Sequence, residues 1–371
     1  MVNVYLFPAD EGDFIWVRYG NGERFSNIVI DGGTKDSAIE YAEVIEYIDR
    51  RHETIEALIL THIDYDHLQG AVEGIGRLSP ELLKRTVKRV LFNTCRGILR
   101  EQKASRADKG FAEDLLKGRI PTEGYGIDDA IQFMDLLEVK GIRQRLADYI
   151  AYGQILQWGH GEVIRIISPG KEELRKFYNK WEPYCKDRQI TSYSANIELV
   201  ERGLDDLKPE KLGFDPSENN AASIAFIFEY EDVKIAFLAD AKPAVCLRGL
   251  KECGVKGCYP VDLFKVSHHG SKSNTSDALL RKLQAKNYLL STNGKGQKVP
   301  NKTVIAHLLK CAAGQELQLL CNYDWWDTVY YGKYFTKEDM EEYLDTGKLR
   351  LVLLDEEGIE AKGGLRIYGE R

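Results

Sequence analysis

No stretch of this sequence approaches 18 consecutive apolar residues, so no membrane-spanning helix is expected. The opening residues, MVNVYLFPADEGDF, lack a basic n-region and a long apolar h-region. That speaks against a secretory signal, and a cytoplasmic chain is expected. The seven cysteines (95, 185, 246, 253, 258, 311 and 321) are odd in number, scattered, and without a CxxC pair. Reduced, buried thiols are the expectation. The net charge of −7 argues against a protein that coats nucleic acid non-specifically, while leaving room for a local basic groove. No internal repeat and no low-complexity tract is present.

What remains is an ordinary globular balance, 43% apolar and 29% charged over 371 residues. One compact domain, 1–371, is expected, interrupted by a charged helical insertion or lid over 96–157. Strands are predicted at 2–7, 14–19 and 26–30, the last ending in Asp31-Gly32-Gly33. A helix over 36–51 carries Ile39, Ala42, Ile45 and Ile48 for one buried face. The apolar strand 56–60 is followed by a helix over 68–87 and a strand over 87–93. Further strands are predicted at 163–169, 223–230, 233–240, 287–293 and 316–323, another within 261–274 that ends in paired histidines, and a closing hairpin over 349–369.

Histidine is scarce, seven in all, yet two fall with two aspartates inside residues 61–67, THIDYDH, directly after a buried strand. Carboxylates this close repel one another, and burying them unpaired is costly. Carboxylate and imidazole together suit Zn, Mn or Fe. His62 and Asp64 lie two apart in extended chain and share a face. Asp66 and His67 point elsewhere, which makes room for a second metal. The bland alternative is a capping Asp and a salt-bridged His in a polar loop. Two more strand ends deliver similar residues: Asp240 closes VKIAFLAD, and His268-His269 close a strand before Gly270-Ser271. Taken singly, each reads as a turn. Three such ends together read as one site, with two metals able to acidify a shared water and clamp an in-line displacement.

THIDYDH resembles the metal-binding signature of the metallo-β-lactamase fold superfamily, whose usual form is HxHxDH. IDGG at 30–33, the FLAD strand end and KVSHHGS at 265–271 fall in that family's order. The closer likeness is to the branch that includes the hydrolase domain of the DNA-uptake channel protein ComEC, which has Asp for the second His, the HHGS ending, and a strand like EGDFIWV near the start. The resemblance implies an α/β fold, a four-layer αββα sandwich with a helical insertion. It also implies two divalent metal ions, Zn or Mn: His62 and Asp64 on the first, Asp66 and His67 on the second, Asp240 bridging, and His268 as the late ligand. Asp31 would orient the ligand loop through hydrogen bonds. His269 would then contact substrate or leaving group. The sequence departs from the pattern in lacking a third-motif His, where Asn219, Asn220 or Ser223 stands, and a late His before Pro300, where Lys298 or Lys295 offers a point charge.

Between 262 and 310 nine basic residues face two aspartates, placing positive charge beside the HHGS corner. Ser271, Lys272 and Asn220 are therefore read as substrate contacts. The leading expectation is a phosphodiesterase or nuclease using a hydroxide shared by two metals, with Asp66, His269 and Lys298 in the catalytic set. A small ester, lactone or thioester hydrolase is the alternative, with Tyr125, Phe133 and Tyr149 of the insertion lining an apolar pocket. A non-catalytic metal-fold module in a bacterial defence complex, docking a protein partner through the insertion, is the third reading.

Overall fold

The apolar alternation along the predicted strands is resolved as two faces of two sheets. The structure, a computed structural model, describes residues 1–105, 127–184, 202–295, 299–327 and 334–369. One sheet contains β1 (Val2–Leu6), β2 (Ile15–Gly20), β3 (Phe25–Ile30), β4 (Thr54–Ile59), β5 (Val90–Leu91), β6 (Leu146–Ala147), β15 (Ile359–Ala361) and β16 (Leu365–Gly369). The other contains β7 (Ile155–Leu156), β8 (Glu162–Ser168), β9 (Ala225–Tyr230), β10 (Val233–Phe237), β11 (Leu263–Lys265), β12 (Asn287–Leu290), β13 (Leu317–Cys321) and β14 (Leu349–Leu353). The first runs β15-β16-β1-β2-β3-β4-β5-β6 and the second β14-β13-β12-β11-β10-β9-β8-β7.

Because successive side chains alternate across a strand, each sheet feeds two apolar layers. Ile15, Val17 and Tyr19 of β2 join Phe226 and Phe228 of β9 and Ile235 of β10 between the sheets. Phe14 and Trp16 point the other way, onto helix α1 (Ala38–Arg50) and helix α2 (Tyr65–Arg77). Ile227, Ala236 and Phe264 pack outward against the helices of the second sheet. The result is an αββα sandwich. Trimming Ile235 to Val should cost about 1 kcal/mol. An unchanged urea midpoint would show that the central layer is loosely packed there.

Several elements differ from the sequence expectation. Ile39 is 54% exposed, whereas Ala38, Tyr41, Ala42, Ile45 and Ile48 are buried. Steps of three residues lag the helical turn by about 60° each, so a residue nine positions before Ile48 faces the opposite side. The helix expected over 68–87 is α2 and α3 (Pro80–Thr86), divided at Leu78–Ser79, with Ser79 as N-cap and Pro80 opening the new turn. The closing segment is no simple hairpin: β14 extends the second sheet, while β15 pairs with β16 and β16 pairs with β1 of the first.

The described part of 96–157 is built into the core rather than laid over the strand ends. Helix 127–139 buries Phe133 and Leu137 in the outer layer beside α2, and β6 and β7 extend one edge of each sheet. Phe133 therefore cannot line a pocket at the strand ends, and Tyr125 lies outside the described residues. Among the described residues no helix is long and apolar enough to cross a membrane.

β3, β4 and β10 to β12 bring their C-terminal ends to one side, where crevices form in such sheets. Glycine makes the closeness there possible. A Cβ on Gly70 of α2 would stand 1.8 Å from the Gly32 carbonyl oxygen, and one on Gly12 would stand 1.6 Å from that of Asp66.

Candidate metal centre

Asp240 lies at the centre of the strand-end cluster, 2% exposed, immediately after β10 and Leu238-Ala239. Its two carboxylate oxygens face different partners. Oδ2 is 3.7 Å from His62 Nε2 and 3.6 Å from His268 Nε2, and His62 Nε2 is in turn 3.6 Å from Asp64 Oδ2. Oδ1 is 3.4 Å from His67 Nε2 and 3.7 Å from His269 Nε2. His269 Nε2 also lies 3.4 Å from Asp66 Oδ2. Two sets of donors thus share one carboxylate: His62, Asp64 and His268 on one side, Asp66, His67 and His269 on the other.

The backbone that delivers them is strained. Asp31, Ala239, His268 and His269 have φ of 52°, 45°, 47° and 53°, the left-handed region that costs a non-glycine residue of order 1 kcal/mol or more. The two consecutive left-handed histidines before Gly270 turn the chain so that neighbouring imidazoles both reach Asp240. α2 begins at Asp64 as N-cap, yet its side chain makes no capping bond and instead accepts from Asn219 Nδ2 at 2.6 Å.

Each imidazole is held through Nδ1. His67 Nδ1 lies 2.8 Å from Asp31 Oδ2, and His269 Nδ1 lies 2.9 Å from the Ser291 carbonyl oxygen, which can only accept. Asn274 spends its amide on Asp215 and on the Asp240 carbonyl, so its Oδ1 accepts from His268 Nδ1 at 2.8 Å. Thr61 Oγ1 donates to Asp31 Oδ2 and is left to accept from His62 Nδ1 at 3.0 Å. These partners assign the Nδ1 position as a donor in each ring, so that with a cation bound the four Nε2 atoms would converge on it as acceptors. His67 Nε2 and His269 Nε2 meet at 3.3 Å. His62 Nε2 and Asp240 Oδ1 are buried without a hydrogen-bond partner. This is the donor chemistry of a cation site. The tightest groupings of these donors, His62 with His67 and Asp240, and Asp66 with His67 and His269, overlap at His67 and so lie side by side in one centre.

The electrostatics agree. Burial alone would push the Asp66 and Asp240 carboxyls up. The neighbouring imidazoles, His67 first for Asp66 and His268 first for Asp240, outweigh it and hold both well below the usual carboxylate range. Burial alone would likewise lower His67, but Asp240, Asp66 and Asp31 raise it well above the ordinary histidine value. The cluster calls for positive charge.

Asp31 accepts from Thr61 N and Thr61 Oγ1, both at 2.7 Å, besides holding His67. Asp31→Asn should therefore lower metal affinity about 10- to 100-fold, because it removes charge from behind His67 and upsets the Thr61–His62 tautomer. Metal retained at the wild-type level in equilibrium dialysis would contradict that role.

Other expected site residues fare differently. Asn220 is 4% exposed, and its amide donates to Asp215 Oδ2 and lies 3.3 Å from His268 Nδ1. It stands behind the histidine, where a substrate would not reach. Ser271 accepts from Ser273 N within its own turn, and Lys272 N donates to Asn301 Oδ1. His269 joins the donor set rather than standing apart from it. Lys298 lies outside the described residues. The basic stretch is also less open than its composition implies. Lys265 and Lys302 are buried against Asp13 and Asp339, while Arg281 and Lys310 both pair with Asp277. Asn274, which the sequence offers as a neutral donor beside the HHGS corner, instead holds His268, and three residues escape the sequence reading: Asp13, Asp215 and Ser291. Only Asp13, in the EGD stretch before a strand, carried any signal.

Residues 20–142, about a third of the chain, match the family described as the metallo-beta-lactamase superfamily. A stretch of 72 residues, 19% of this chain, is 35% identical to a hydroxyacylglutathione hydrolase of Saccharophagus degradans, of which it spans 24%. Among solved structures, CmlA, a diiron beta-hydroxylase from Streptomyces venezuelae, is similar with a TM-score of 0.40 and 11% identity over 94% of this chain and 52% of that one. MEM-A1, a subclass B3 metallo-beta-lactamase from a soil metagenome library, is similar with a TM-score of 0.29 and 10% identity over 81% and 86%. The fold is the α/β sandwich of the metallo-β-lactamase type.

Proposed function

We propose that this chain is a hydrolase dependent on two divalent cations and that it acts on phosphodiesters. The observation that carries the reading is the convergence of four histidine Nε2 atoms on the two oxygens of Asp240, with Asp64 beside His62 and Asp66 beside His269. His62, Asp64 and His268 would hold one cation, Asp66, His67 and His269 the other, and Asp240 both. When bound, the cations supply Lewis acidity and lower the pKa of a water at the site.

Charge favours an anionic substrate. Three carboxylates, Asp64, Asp66 and Asp240, set against two divalent cations would leave the donor sets and their ions at about +1 before a bound water gives up its proton. A phosphodiester carries the complementary single charge. The chain's own part is orientation: Asp31, Ser291, Asn274 and Thr61 fix the rings, so no side chain has to reorganise as charge develops on substrate. The likeness of the ligand motifs to the ComEC branch supports nucleic acid among phosphodiesters. The similarity to a hydroxyacylglutathione hydrolase favours a second reading, thioester hydrolysis.

The test is hydrolysis of bis(p-nitrophenyl) phosphate, single-stranded DNA and S-lactoylglutathione by metal-stripped protein reloaded with Zn or Mn. Metal-dependent cleavage of the two phosphodiesters alone is the expected outcome. Turnover of the thioester alone would replace this reading with the second.

A further inference from the structure

Behind the second donor set lies an ion pair that the reading above does not use. Asp13 and Lys265 are 2% and 1% exposed, and Lys265 Nζ is 2.5 Å from Asp13 Oδ2. A buried charged pair of this kind seldom adds net stability over apolar replacements, so its place in the fold asks for another reason. Lys265 ends β11, three residues before His268, while Asp13 precedes β2 in the other sheet. The pair therefore bridges the two sheets directly beneath the histidines.

Its neighbours give the reason. Asp13 Oδ1 lies 3.7 Å from His269 Nδ1, and Asp13 Oδ2 lies 4.0 Å from His67 Nδ1. Neither distance is a hydrogen bond, and Oδ1 is buried without one. His269 Nδ1 instead donates to the neutral Ser291 carbonyl at 2.9 Å. An ionised carboxylate is the stronger acceptor of the two. Left uncompensated, Asp13 would compete for the Nδ1 proton, and a ring turned toward it would swing Nε2 away from Asp240. Lys265 pairs with the other oxygen, Oδ2, and by offsetting the carboxylate's charge weakens the competition from Oδ1. His67 is less exposed to the same pull, because Asp31 already holds its Nδ1 at 2.8 Å.

We propose that Lys265 and Asp13 are positioning residues for the second cation: the lysine holds Asp13 off His269, so that the His269 ring stays on Ser291 and presents Nε2 beside Asp66 and His67. The inference rests on the two-cation reading above. It predicts asymmetry, because the pair stands against His67 and His269 of the second donor set, and the first cation should be indifferent to it.

The experiment is titration of metal-stripped protein with Co2+, followed by visible absorption and calorimetry, for wild type, Lys265→Met and Asp13→Asn/Lys265→Met. In Lys265→Met, affinity for one of two equivalents should fall about 10- to 100-fold while the other is unchanged. The double variant, with neither the lysine nor an anionic competitor, should recover that equivalent. Lys265→Gln serves the same comparison if the methionine variant does not fold. Two unchanged equivalents, or two weakened alike, would make the pair merely structural and overturn the proposal. A double variant no better than the single would overturn it too. Wild type that takes up no Co2+ at all would instead sink the two-cation reading itself.

Discussion

Asp240→Ala should abolish metal-dependent hydrolysis, with a loss of about 1000-fold or more, equivalent to about 4 kcal/mol in the barrier. Its carboxylate is shared by both donor sets: His62 and His268 face one oxygen, His67 and His269 the other. Its removal should cut metal content from two ions to one at most, as read by elemental analysis after dialysis. The fold should survive. The backbone ties of residue 240, its N–H to Ser223 Oγ and its carbonyl from Asn274 Nδ2, do not involve the side chain and remain available to alanine. A folded Asp240→Ala protein that hydrolyses bis(p-nitrophenyl) phosphate near the wild-type rate would remove the bridging role altogether.

The second large effect is expected at Gly70, through stability rather than chemistry. α2 crosses the Asp31-Gly32-Gly33 loop so closely that Gly70 N donates to Gly33 O at 3.1 Å and Gly32 N donates to His67 O at 2.8 Å. A methyl group at position 70 would meet the Gly32 carbonyl at 1.8 Å and the Thr34 carbonyl at 2.6 Å, both backbone atoms with little freedom to yield. The helix would have to lift, taking His67 off Asp31. Gly70→Ala should therefore cost about 3 kcal/mol, the upper end for overpacking, despite alanine's better helix propensity. Metal affinity should weaken in parallel. A chemical denaturation midpoint equal to that of the wild type would show that the crossing is looser than drawn.

Asp240 also shows how much was legible in the chain. THIDYDH, FLAD and SHHGS stood out because each puts charged or imidazole groups at the end of an apolar strand, where a core role cannot account for them. That density is local, and local density is what a sequence displays. The sandwich was implied by the resemblance those motifs carry, while the strands themselves, such as β2, β9 and β10, showed as short apolar runs that feed layers on both faces of their sheets. The helical face of α1 was misread at Ile39, since a spacing of three drifts around the helix, and only the packing of Tyr41 and Ala38 reveals the buried side.

Asp13, Asp215 and Ser291 are single polar residues, and their importance comes from what faces them across other strands and loops. Lys265 is the sharpest case. Counted along the chain it belongs to a basic stretch open to substrate, but β11 lies inside its sheet between β10 and β12, and the side chain is sealed against Asp13. The pairing of His269 with the second donor set was likewise undecided in sequence, because two adjacent histidines on an extended strand would point to opposite faces. The left-handed backbone at both residues brings them to the same carboxylate. Ligand types can be read from a strand end. Which ligand meets which oxygen is set by strand order and by backbone conformations that only the packed sheets hold in place.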